Sequence, residues 1–64
     1  MNFGDTLREH RARHRMTREQ LSIKFGIAVS SIRNYETNRS GPSLATAQLL
    51  AKYFGFSLDK LQEN

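Results

Sequence analysis

The chain has 64 residues, no cysteine and a formal net charge of +4. A domain this short buries only about 60% of the surface its unfolded chain exposes, which excludes a deep catalytic cleft. The missing cysteines exclude disulfides and thiolate zinc sites. The apolar runs fall far short of the ~20 residues a membrane helix needs. Met1 to Asp5 lack the basic flank and apolar stretch of a signal peptide, so a cytoplasmic protein is expected.

The placement of the charge is informative. Residues 1–40 hold eight basic residues against four acidic ones, and residues 41–64 hold two of each. All the excess therefore lies in the first two thirds of the chain, and a localised basic surface implies a polyanionic partner. Seven of the ten basic residues are arginine. Guanidinium forks match phosphates and guanine edges better than ammonium groups do.

Helix 1 is expected over residues 2–14, with Asn2 as its N-cap and Asp5 in the first turn, where the helix dipole favours an acid. Phe3, Leu7 and the stem of Arg11 recur at helical spacing and form one buried stripe. Thr17-Arg18-Glu19-Gln20 is a capping box that opens helix 2, with Met16 as the apolar residue before it. Leu21 and Phe25 face inward, Gly26 suits a left-handed stop, and Ile27 packs in the turn. Helix 3 runs from about Ala28 to Tyr35, with Ile32 and Tyr35 on its inner face. Residues 38–42 are a loop by composition.

Ser43 caps helix 4, whose Leu44, Ala47, Leu50, Ala51 and Phe54 follow helical spacing, and Gly55 ends it. Ser57 caps a short helix 5 reaching residue 62, with Leu58 and Leu61 inward. Period-2 alternation is absent, so no strands are expected. The expectation is a compact all-α domain of five helices over residues 1–64. Helices 2 and 3 form a helix-turn-helix over residues 17–36. Helices 1, 4 and 5 form a platform from which it projects.

From Leu7 to Leu61 the chain resembles the phage repressor and Cro family, the lambda-repressor-like helix-turn-helix domains. The resemblance is carried by Leu7, Arg11, Met16-Thr17, Glu19-Gln20-Leu21, Phe25-Gly26-Ile27, Ser30-Ser31-Ile32, Tyr35-Glu36, Pro42-Ser43-Leu44, Leu50-Ala51 and Gly55-Phe56-Ser57-Leu58-Asp59. It covers nearly the whole chain, and the ordered spacing makes it specific.

The resemblance implies that helix 3 reads bases in the major groove through Val29, Ser30 and Asn34, with Ala28 at its entry. Asn34 suits an adenine edge, and Ala28 or Val29 suits a thymine methyl. Arg33 lies on the same exposed face and suits guanine or phosphate. Thr17, Arg18, Ser31, Arg39 and Ser40 are implied phosphate contacts. Arg15, beside the first turn, can approach a phosphate as well. Arg11 and Glu36 match a pair that some members bury between helix 1 and the end of helix 3. Helix 5 is where many members dimerise, which implicates Leu58 and Leu61.

Three departures from the family pattern stand out. Arg18 replaces the usual glutamine at the second residue of helix 2. Ala28 replaces the serine or threonine that caps helix 3, at a cost of ~1 kcal/mol. Ile23, Leu49 and Tyr53 are apolar where charge is common.

His10 and His14 stand one helical turn apart, a spacing compatible with a metal. Arg11, Arg13 and Arg15 repel a cation there, so no metal site is expected. Added positive charge on protonation is the better use for these histidines. Leu49 and Tyr53 are either a half-buried core edge or a subunit or partner contact. Asp5 and Glu9 read as salt-bridge partners on an arginine-rich helix. No glycine-rich phosphate loop or nucleophile elbow occurs, so an enzyme is not expected. Neither is a cofactor or a small-molecule ligand.

The expected function is sequence-specific binding of double-stranded DNA by a transcriptional regulator of the repressor type, found in the prokaryotic or phage-infected cytoplasm. It would act as a weak dimer, or a dimer formed on DNA, at a pseudo-palindromic operator. The alternative is a protein-interaction module, such as an antitoxin or assembly component, on the same scaffold.

Overall fold

The computed structural model describes residues 2–61, with side chains placed through Asp59. Four helices of eight residues or more build it: α1 (Phe3–Arg13), α2 (Arg18–Phe25), α3 (Val29–Glu36) and α4 (Leu44–Phe54). No strand occurs among the described residues. The expectation of five helices is corrected to four, because the final segment, Leu58–Leu61, is a single turn of four residues. One turn fixes several backbone dihedrals for very few hydrogen bonds, so it adds little stability on its own. Residue 62, the expected end of that helix, lies outside the described residues, as does the side chain of Leu61.

The helix starts follow from side-chain chemistry. Asn2 Oδ1 accepts the Asp5 N–H at 2.9 Å and opens α1. Thr17 and Gln20 form a reciprocal capping box at α2. Thr17 Oγ1 accepts the Gln20 N–H at 3.0 Å, and Gln20 Oε1 accepts the Thr17 N–H at 2.8 Å. Ser43 Oγ accepts the Thr46 N–H at 3.2 Å and opens α4. Ala28, which has no hydroxyl, gives α3 no side-chain cap.

The helix stops share one device. Each of the four helices is followed by a residue in the left-handed region: Arg15 (φ 54°), Gly26 (φ 67°), Asn38 (φ 61°) and Gly55 (φ 80°). After α1, the Arg15 N–H bonds the Ala12 carbonyl and the Met16 N–H bonds the Arg11 carbonyl. After α3, Asn38 and Arg39 donate in the same way to Tyr35 and Asn34. These are Schellman stops, which use the last free carbonyls of the helix. Glycine and asparagine tolerate that conformation, whereas arginine pays a steric cost in it.

Leu7, Leu21, Ile32 and Leu50 are fully buried in one cluster with Phe54, and each comes from a helix that must pack to hide it. Phe3, Met16, Phe25, Ile27, Tyr35 and Phe56 close its edges. Because Leu21 and Ile32 share this cluster, α2 and α3 do not project from a separate platform. α3 packs against both α1 and α2. Leu44 is exposed, contrary to its expected place on the inner stripe. It sits in the first turn of α4, before the helix reaches the core at Ala47.

Gly4 explains how closely α1 approaches α3. A Cβ there would collide with the Tyr35 carbonyl oxygen and would meet Asn38 Oδ1 at 2.5 Å. Gly4→Ala should therefore lower stability by about 1–3 kcal/mol, the usual cost of overpacking. In a domain this size each kcal/mol lowers Tm by roughly 4–8 °C. An unchanged melting curve would refute the close approach. Arg15→Gly should act in the opposite sense, raising stability by up to about 1 kcal/mol as left-handed strain is relieved. Thermal denaturation of both variants tests the pair.

Candidate nucleic-acid interface

The most constrained group in the fold is the Glu36 carboxylate, whose side chain is 0% exposed. It lies at the C-terminal end of α3 and is held from two other helices. Arg11 on α1 donates Nε–H to Glu36 Oε2 at 2.6 Å and Nη2–H to Oε1 at 3.0 Å. Arg11 Nη1 also reaches the Met16 carbonyl at 2.8 Å, tying in the α1–α2 turn. Arg18 on α2 donates Nε–H to Glu36 Oε1 at 3.0 Å. One carboxylate thus joins three helices. The hydrogen bond to Glu36 raises the Arg11 pKa against the opposing effect of burial. Arg11 therefore stays charged across the neutral range, and its stabilising contribution is lost only in strong alkali.

The clamp fixes which way α3 faces. Ile32 and Glu36 point inward and are buried. Ala28, Ser30 and Arg33 are exposed, and Val29, Ser31 and Asn34 are half-buried at the rim. The outer face is therefore made of small and polar side chains. Among the described residues, the Asn34 side-chain amide makes no hydrogen bond, so its donors and acceptor remain available.

A helix-turn-helix family model matches residues 7–61. The chain belongs to the helix-turn-helix family. It is 42% identical to the HTH-type transcriptional regulator YobD of Bacillus subtilis over 57 residues, which is 89% of this chain and 51% of that protein. It is 34% identical to the HTH-type transcriptional regulator MJ0272 of Methanocaldococcus jannaschii over 55 residues, 86% of this chain and 83% of that one. The chain thus spans about half the length of the Bacillus relative. No solved structure matches it.

In this helix-turn-helix, α2 and α3 meet through the left-handed Gly26 and the half-buried Ile27. Thr17, Arg15, Arg39 and Ser40 are all exposed, at the turn before α2 and the loop after α3. Arg18 differs from them. It was expected only as a phosphate contact, yet its Nε is committed to Glu36 and its side chain is 31% exposed. The glutamine-to-arginine departure was the available signal, because a second cation near Glu36 needs an arginine's reach.

Other residues also find partners that spacing alone does not reveal. The His14 ring meets the Phe54 ring edge at 4.9 Å, and its Nδ1–H bonds the His10 carbonyl at 2.8 Å. The His10 ring lies 5.0 Å from Phe56. Both histidines thus pack over α4 and the segment after it. No group of three metal-binding side chains occurs among the described residues. Tyr53 contacts Phe25 edge-on at 5.1 Å, lies under the Lys24 ammonium at 5.0 Å, and donates its hydroxyl to Met16 Sδ at 3.9 Å. It ties α4 to α2. Leu49 is exposed and Leu58 half-buried.

Removing the shared carboxylate should be the most damaging single change. Glu36→Ala leaves two arginines without their partner and should cost about 3–5 kcal/mol. Arg11→Ala should destabilise more than Arg18→Ala, since Arg11 makes three of these hydrogen bonds and Arg18 one. Urea unfolding of the three variants tests this, and a reversed order of the two arginines contradicts the geometry.

Proposed function

We propose that this chain is a sequence-specific, double-stranded-DNA-binding transcriptional regulator of the repressor type, and that residues 1–64 act as one DNA-binding unit. The observation that carries the reading is the two-sided character of α3. Its apolar and acidic side is locked into the core, while Ala28, Val29, Ser30, Arg33 and Asn34 form the outer side. A helix held this way fits the major groove. The basic surplus of residues 1–40 and the regulator names of both relatives support it.

In this reading Asn34 bonds an adenine edge, Val29 and Ala28 meet a thymine methyl, and Ser30 and Arg33 add polar contacts. Arg15, Thr17, Ser31, Arg39 and Ser40 grip phosphates on either side, which positions the helix without specifying sequence. Two copies bind a pseudo-palindrome with half-sites ~34 Å apart. We assign their weak contact to Leu49, Leu58 and Leu61. Binding to chromosomal or phage DNA places the protein in the cytoplasm.

A second reading is a protein-interaction module. It is favoured by Ile23, which is 83% exposed on α2, together with exposed Leu44 and Leu49.

Selection from random duplex DNA at near-physiological salt separates the two. An enriched two-fold motif is expected, whereas no enrichment would favour the interaction module. With that motif in hand, Asn34→Ala should change the preferred base at one position in each half-site, at a cost of about 1–3 kcal/mol. Arg39→Ala should weaken all sequences about equally and reduce the salt slope by about one. An Asn34→Ala protein with unaltered preference would remove that residue from the reading surface.

A further inference from the structure

Arg18 carries more donors than the fold uses. Its Nε–H goes to Glu36 Oε1 at 3.0 Å. Among the described residues, neither of its terminal nitrogens has a hydrogen-bond partner, and part of the side chain reaches solvent. The carboxylate it touches is already satisfied by Arg11, which uses both oxygens. One carboxylate therefore accepts from two guanidinium groups, Glu19 acts on Arg11 only through space, and Arg18 is the surplus partner. A buried carboxylate needs only one arginine for neutrality, so the second is not required for charge balance. The surplus sits at the first residue of α2, where the helix dipole disfavours a cation. Both facts fit an arginine whose outer edge is meant for an anion.

We propose that Glu36 is a positioning residue for DNA binding. It holds Arg18 by Nε, which orients the two terminal nitrogens to grip one backbone phosphate beside the recognition helix. This rests on the proposed DNA-binding function. Glu36 itself touches no DNA. The guanidinium suits this double use because its donors are rigidly divided between two edges. A held side chain also gives up less rotamer freedom on binding than a free one does. The same bond thus stabilises the fold and prepares the contact.

The test compares wild type with Arg18→Gln and Arg18→Lys. The readouts are the Tm of the free protein and the salt dependence of affinity for a mixed-sequence DNA duplex. Arg18→Gln should lower Tm and reduce the slope of log K against log salt by about 0.9, the value of one phosphate contact. Arg18→Lys keeps the charge, so its slope should stay near wild type. A single ammonium cannot reproduce the divided fork, so Tm should still fall and affinity should drop about tenfold, as for a lost charge-assisted hydrogen bond. A lowered Tm with an unchanged slope in Arg18→Gln makes Arg18 purely structural and overturns the proposal. A reduced slope with an unchanged Tm means Glu36 does not hold Arg18, which overturns it as well. Full affinity in Arg18→Lys also overturns it. If wild type binds no duplex, the DNA-binding function fails first and this role with it, while the Tm readings still measure the clamp.

Discussion

A single buried carboxylate sets the geometry on which everything else in this domain depends. Glu36 ends α3 inside the protein, and Arg11 and Arg18 reach it from α1 and α2. Burying a charge is expensive, and the return comes only with well-placed partners. The net stabilisation of such a cluster is often small. Its larger effect is discrimination: any other angle between these helices would leave the carboxylate unpaired. The apolar cluster of Leu7, Leu21, Ile32 and Leu50 drives collapse, but hydrophobic contact has no direction. The clamp selects one arrangement from the several that the core would allow.

That selection matters because the domain is so small. Its core draws one or two large side chains from each helix, and little else resists a rotation of α3. The contact of Gly4 with the Tyr35 carbonyl adds a steric limit at the same end of α3. The turn at Gly26 and Ile27 holds the other end against α2. Capping at α1, α2 and α4 fixes where those helices begin, and α3 alone lacks a capping side chain. The one helix without its own start signal is thus the one held most firmly by its neighbours.

Much of this was legible in the sequence, and the reason differs from feature to feature. The capping box at Thr17 and Gln20 and the stops at Gly26 and Gly55 depend on local chemistry, so adjacent residues suffice to read them. Leu7, Leu21, Ile32 and Leu50 follow helical spacing. The Arg11–Glu36 pair, implied only by family resemblance, is present here with a third member that resemblance did not supply. Arg18 joins it because its side chain reaches from the start of α2 to the end of α3, and the sequence marks this only by an arginine where the family has glutamine. The left-handed stop at Arg15 was hidden because arginine does not favour that conformation, and Asn38 was legible only as the start of a loop. Gly4 looked like an ordinary helical residue, since its necessity comes from a carbonyl more than thirty positions away. Leu44 was placed inside by spacing that ignores where a helix first meets the core. The segment after Gly55 has the composition of a helix, but the described chain forms only a single turn of one.

The inner and outer sides of α3 answer to different demands. Ile32 and Glu36 are tied to three helices, and substituting either disturbs the whole assembly. Ala28, Ser30 and Arg33 carry no comparable obligation. Variation can therefore accumulate on one side of a single eight-residue helix while the other stays fixed. A substitution on the outer side can therefore change the surface the helix presents while the core and the clamp keep the domain folded.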